Sequence, residues 1–278
     1  VRFRTGIIFN QEIRMSRKQV YRFVASAGLA TALVSASAGA AITGFGDFSQ
    51  FTITQNDANS PPTVPAAGTI ELTNGGGEDR SIFADTPQNI SSFTASFTYQ
   101  ARQFITFGAN PGAAFVIEED PRGAAAVGNE TNNFGFHGIT KSVGITLEIA
   151  SDSTGIFTGG NITTGDASVS PVNLGSGDPI NVQLTYTGST LTETLTDTTT
   201  LASYTTTDLI LQNFPTTVGS PTAYVGFTAG SDQSASEYFS NFQFTSVPEP
   251  ASMVFLSAGL LPLLCRGRTR RGYISISQ

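Results

Sequence analysis

The chain has 278 residues, and its formal charge of −7 is spread unevenly. Six of the fourteen basic residues precede residue 23 and four follow residue 265, so residues 42–246 hold four bases against nineteen acids and carry −15. A span this acidic repels phosphate backbones, which excludes nucleic acid as a partner, and with Cys265 as the one cysteine an intrachain disulfide is excluded too.

In chain order, residues 1–14 show no periodicity, and Met15 opens a three-part pattern. Arg17, Lys18 and Arg22 are a positive region and residues 23–34 an apolar one. Ala36-Ser-Ala38 or Gly39-Ala-Ala41 supplies the small residues of a cleavage site. The order predicts a secretory signal helix over residues 15–41, translation from Met15, and residues 1–14 as an extension of the gene reading. A buried or amphipathic N-terminal helix is the competing reading. A chain with such a signal uses the Sec export machinery.

Residues 42–246 read as one domain, large enough at about 205 residues to bury a core without staples. Segments 48–54 and 68–73 are expected strands, with Asn74-Gly-Gly-Gly77 as a turn open to positive φ. Residues 93–99 alternate, with Phe93, Ala95, Phe97 and Tyr99 on one face. Gly112-Ala-Ala-Phe-Val-Ile117 is a continuous apolar run, as expected of a strand covered on both faces. A charged turn, Glu118-Glu-Asp-Pro-Arg-Gly123, and a glycine-rich stretch at 132–139 are expected to build a loop surface at the rim. Residues 142–149 then set Val143, Ile145, Leu147 and Ile149 on one face and Gly144, Thr146 and Glu148 on the other, which predicts a half-buried strand. Segments 180–187, 190–197, 223–228 and 239–245 continue the pattern, and no helical period interrupts it. The fold class is all-β, a sandwich or jelly roll.

After Val247 come Pro248, Glu249 and Pro250, an apolar run over residues 251–265, and Arg266, Arg268, Arg270 and Arg271. The run is short for a permanent span of about 20 residues and long enough for a transient one, with the arginines holding the end in the cytoplasm. This order resembles the PEP-CTERM sorting signal of Gram-negative bacteria. The resemblance implies an exosortase as partner, cleavage near Pro248-Glu-Pro250, a transient stay of residues 247–278 in the inner membrane as a hydrophobic helix, and release to the outer surface or an exopolysaccharide matrix. A plain C-terminal membrane anchor is the alternative.

Several segments of the domain also look like bacterial legume-type (L-type) lectin domains. They are Gly112-Ala-Ala-Phe-Val-Ile117, Asp120-Pro-Arg-Gly123, Ser142-Val-Gly-Ile-Thr-Leu-Glu148, Ser153-Thr-Gly-Ile-Phe157, Val182-Gln-Leu-Thr-Tyr-Thr-Gly188, Tyr224-Val-Gly-Phe-Thr-Ala229 and Phe242-Gln-Phe-Thr-Ser246. The resemblance implies a concanavalin A-like jelly roll. That family holds a sugar with an Asp carboxylate, a Gly amide, an Asn and a stacked aromatic, fixed by calcium. Its Ala-Asp-Gly stretch falls on Asn110, Pro111 and Gly112, which become the implied ligand-binding positions, with Pro111 replacing the Asp and a cis Asn110–Pro111 bond expected. Its Glu-x-Asp falls on Thr146 and Glu148, so one metal ligand is lost. Glu148 and Asp152 are then either calcium ligands or solvated acids on a polar face.

The lone His137 has no His or Cys companion for zinc and is expected to be a loop residue packed on Phe136. Glu118 and Asp120 are the nearest approach to the carboxylate pair of a polysaccharide hydrolase, and Gly123 stands where a third acid would be. The sequence therefore points to an exported, non-catalytic lectin-like protein with polysaccharide as its partner. A structural matrix protein that has lost sugar binding is the alternative, and a polysaccharide hydrolase the third reading.

Overall fold

A computed structural model describes residues 40–102, 111–129, 133–163, 166–210, 212–232 and 235–247. The expected terminal helices, Pro248, Glu249, Pro250, the four C-terminal arginines, and Asn110 with its bond to Pro111 lie outside the described residues. Among the described residues, no helix is long and apolar enough to cross a membrane.

The first strands are β1 (Ile42–Thr43), β2 (Phe51–Gln55), β3 (Thr63–Ala66), β4 (Thr69–Gly75), β5 (Glu78–Ala84) and β6 (Gln88–Asn89). There follow β7 (Phe93–Arg102), β8 (Gly112–Glu118), β9 (Ser142–Glu148), β10 (Ser153–Thr158) and β11 (Ala167–Ser168). The last are β12 (Ile180–Tyr186), β13 (Thr190–Asp197), β14 (Ser203–Leu209), β15 (Thr222–Ser231) and β16 (Ala235–Ser246), with a short helix α1 (Phe214–Val218) ahead of β15. Sheet A runs β14-β13-β12-β7-β16-β4-β3 with β1 on β16, and sheet B runs β11-β10-β9-β8-β15-β5-β2 with β6 on β15. The pairings are antiparallel, and the two sheets stack face to face as the expected jelly-roll sandwich.

The alternation seen in the sequence is what closes the sandwich. Phe93, Ala95, Phe97 and Tyr99 of β7 all point inward and are buried. Phe97 meets Phe227 of β15 edge-on at 4.7 Å, and Phe227 stacks on Phe239 of β16 at 4.5 Å. Such pairs add roughly 0.5–1.5 kcal/mol each beyond the area they bury.

Three expectations need correction. β9 is not half-buried, because every residue in it is covered. The excursion after β8 does not stay at the rim. It folds across the outer face of sheet B, where Phe136, Ala126 and Ile139 make a second small core with Phe83, Ala114 and Val116. A Cβ on Gly144 would lie 3.0 Å from the Phe136 ring, so the glycine is what lets the excursion lie this close. Second, the expected strands leave out β5, which begins Glu78-Asp-Arg and is buried throughout. Arg80 makes this tolerable, donating to Glu78 at 2.7 Å, to Asp57 at 3.2 Å and to the Leu72 carbonyl at 3.0 Å. A buried charge survives only when paired in this way. Third, a helix does occur. Asn213 caps the Thr216 N–H, Pro215 sits in the first turn, and Gly219 ends the helix at φ 85°.

The outer face of sheet A has a different character. Thr94, Ser96 and Thr98 of β7 are in register with Thr185, Gln183 and Asn181 of β12, and those with Thr192, Thr194 and Thr196 of β13. Thr192 and Thr194 reach across to Thr207 and Thr205 of β14, each at 3.0 Å. Gln243 and Thr245 of β16 extend the array on the other side. No charged side chain stands among these positions, although the span as a whole carries −15.

Candidate functional site

Of the residues singled out in the sequence, Pro111, Gly112, Glu148 and Asp152 come together at one end of sheet B, while Glu118 and Asp120 lie at the other. Pro111 is buried, and its carbonyl accepts the Ile149 N–H at 3.2 Å. Gly112 opens β8 opposite Glu148. A Cβ there would collide with the Leu147 carbonyl and lie 2.8 Å from the Phe134 ring. Glycine is therefore required at this position by packing, whatever else its amide does.

The link from β9 to β10 spans only residues 149–152. Asp152 closes it at φ 46°, a conformation that Asp tolerates better than most residues. Its Oδ1 accepts the Leu174 N–H at 2.7 Å and its carbonyl the Val169 N–H at 2.8 Å, so the side chain ties the loop before β12 to this hairpin. Glu148 is buried, and its Oε2 accepts the Ser153 hydroxyl at 3.0 Å. Asp166, which the sequence reading passed over, joins the group. Its carboxyl lies over Gly155 in the space a Cβ would fill. Desolvation, then a hydrogen bond with Glu148 and the repulsion of its charge, push the Asp166 carboxyl up to about 6. The residue as a whole is exposed, so its own contribution to stability is small.

Calcium takes six to eight oxygen ligands. Asp152 has one oxygen committed to a backbone N–H, and Glu148 is committed to Ser153 and Asp166. Among the described residues, no group of three or more Asp, Glu, His or Cys side chains is placed to hold a metal. The described residues do not by themselves form a calcium cage, and backbone carbonyls and water would have to supply most of the ligands.

The turn after β8 is built for rigidity. Arg122 donates to both oxygens of Asp120, at 2.7 and 3.1 Å, and to the carbonyls of Val127 and Gly138. Thr140 adds its N–H and its hydroxyl to Asp120, both at 2.8 Å. Burial would raise the Asp120 carboxyl, but the hydrogen bonds from Arg122 and Thr140 outweigh it and hold the group well below the usual range. Glu118 accepts the Asp120 N–H with one oxygen, while the other has no partner among the described residues. Burial pushes its carboxyl up to about 8. Glu118 is fully buried, and Asp120 is locked to Arg122, so neither carboxyl is presented at a scissile bond. The ring of His137 lies in the loop after β8, with Nδ1 2.8 Å from Asn129 Oδ1.

No protein-family model matches the chain, and no curated protein matches it in sequence. Solved structures do match in fold. Lectin II from Ulex europaeus superposes with a TM-score of 0.59 at 14% identity, over 76% of this chain and 100% of that one. Arcelin-5, a lectin-like defense protein from Phaseolus vulgaris, gives 0.57 at 15% identity over 71% and 92%. The winged bean acidic lectin complexed with methyl-α-D-galactose gives 0.57 at 16% over 74% and 97%. At these identities the likeness speaks for architecture alone: the chain has the L-type, legume-lectin jelly-roll fold.

Proposed function

We propose that this is an exported, non-catalytic lectin-like protein that binds polysaccharide at the surface of a Gram-negative bacterium or in its exopolysaccharide matrix. In this reading residues 15–41 direct Sec export. Residues 247–278, with Pro248-Glu-Pro250 and the arginines from Arg266 to Arg271, pass transiently through the inner membrane and are sorted by exosortase. The observation that carries the binding half is the outer face of sheet A. On a lectin-type sandwich with strong net negative charge, it offers a broad neutral array of hydroxyl and amide groups. Such groups exchange hydrogen bonds with sugar hydroxyls without the cost of stripping water from a charge.

Retention of the full chain on immobilised exopolysaccharide, with and without added calcium, tests this. Binding is expected in both conditions, and Gln183→Glu with Thr194→Glu should abolish it by placing carboxylates in the array. Retention unchanged by both substitutions would remove the argument.

The structural-matrix reading has its own support, since Glu148 and Asp152 are spent on internal hydrogen bonds rather than held open for a ligand. It predicts no retention on any glycan, with the protein still found in the matrix.

A further inference from the structure

Where β10 of sheet B faces β13 and β14 of sheet A, the two sheets part and leave a cavity of about 440 Å³. An acid stands in its wall where the pattern calls for an apolar side chain. The inward row of β13 reads Leu191, Glu193, Leu195, and Glu193 is only 3% exposed. Its Oε2 accepts the Thr154 hydroxyl at 2.8 Å, a bond that crosses from one sheet to the other. That hydroxyl also lies 2.8 Å from the Thr146 carbonyl, and with one proton it cannot serve both acceptors fully. Among the described residues, Glu193 Oε1 is buried without a hydrogen-bond partner. Leaving such an oxygen unmet is costly, so it points to something that is meant to meet it.

A second carboxylate shares the space. Thr206 of β14 lies opposite Glu193 in the ladder, and Asp208, two residues on, lines the same cavity. Burial first, and the charge of Asp208 after it, push the Glu193 carboxyl up to about 7, with the Thr154 hydrogen bond opposing them. The lining includes no basic side chain. Three of the domain's four basic side chains are engaged elsewhere: Arg80 with Glu78 and Asp57, Arg122 with Asp120, and Arg102 over the Tyr238 ring at 5.0 Å.

We propose that this cavity binds a small primary ammonium ion, its charge held between Glu193 and Asp208 and its body resting on Ile156, Ile210 and Phe214. A compact ammonium carries three N–H donors. Glu193 Oε1, the Asp208 carboxylate and the Thr206 hydroxyl or Gln212 amide oxygen supply three acceptors. A metal ion is a poorer occupant, because among the described residues no three acidic, histidine or cysteine side chains come together. A neutral ligand would leave the Asp208 carboxylate without a counter-charge. The inference is independent of polysaccharide binding on the outer face of sheet A.

The test is a chemical-shift titration of the full chain with three probes: n-butylammonium, tetramethylammonium, which has the charge without the donors, and 1-butanol, which has neither charge nor ammonium. Saturable binding of n-butylammonium is expected, about tenfold tighter than either other probe. Glu193→Gln should weaken it about tenfold or more and Asp208→Asn several-fold. Asp47→Asn, which removes an exposed charge from a distant turn, should leave it unchanged. Thermal melts of each variant establish that it is folded, and the Asp208→Asn and three-probe comparisons stand even if Glu193→Gln is not. Equal affinity for the three probes, binding unaltered by Glu193→Gln or Asp208→Asn in folded protein, or no saturable shift at about 50 mM probe would overturn the proposal.

Discussion

Glu237 lies near the start of β16, is fully buried, and has no basic partner among its hydrogen bonds. Tyr99 donates to Oε1 at 2.8 Å and Thr73 to Oε2 at 2.9 Å. Burial outweighs both and raises the carboxyl from 4.5 to about 8. The folded chain therefore keeps a proton that the unfolded chain gives up above pH 4.5. Stability from this group is fully present below 4.5 and is lost as pH rises toward 8. One retained proton corresponds to about 1.4 kcal/mol per pH unit, so going from pH 5 to pH 7 removes about 2.5 kcal/mol. For a domain of this size that is a fall in Tm of roughly 5–10 °C. Glu118 and Glu193, raised to about 8 and about 7, act in the same direction. Asp120 acts in the opposite direction, being held low and losing its stabilising bonds in acid. Greatest stability is thus expected near pH 5. Glu237→Gln supplies a donor and an acceptor, as the protonated acid does, without the titration. Urea denaturation of the wild type and Glu237→Gln at pH 5, 7 and 8 should give curves that nearly coincide at pH 5, with the variant more stable by a margin that grows with pH. Parallel pH profiles would refute the reasoning.

Gly112→Ala places a methyl against the Leu147 carbonyl and the Phe134 ring, and should cost about 1–3 kcal/mol in a urea titration. Phe136→Ala uncovers the second core on sheet B, where Phe136 is fully buried. A loss of about 3–5 kcal/mol by the same assay is expected. EDTA is expected to leave Tm unchanged, because Glu148 and Asp152 are satisfied within the chain. A fall in Tm that calcium restores would instead place a metal there. Thr205→Val breaks one rung of the exposed threonine ladder, and should shift stability by no more than about 0.5 kcal/mol while weakening retention on polysaccharide.

The strands most plainly legible were those, such as β7 and β12, whose inward rows are wholly apolar. β7 and β12 alternate cleanly because one side faces the core and the other faces water. β5 and β14 were missed for opposite reasons. The charges of β5 are buried in ion pairs with a distant loop, and β14 is a run of Ser, Tyr and Thr with little apolar contrast. Glu193 stands between Leu191 and Leu195 in the sequence, but nothing there said that the opposite sheet would draw away and leave it a cavity. Asp166 gave no signal, since its closeness to Glu148 depends on how the chain after β10 folds back over Gly155.

By itself the sequence determined the all-β class and the inward rows of the sandwich, because an alternating apolar pattern has one stable solution when a single face can be hidden from water. Which acids lie buried, which glycines are demanded by neighbours, and where the two sheets separate were decided only by the tertiary structure. Those properties depend on contacts between residues far apart in the chain, such as Thr73 with Glu237 and Thr154 with Glu193, and no local pattern encodes them.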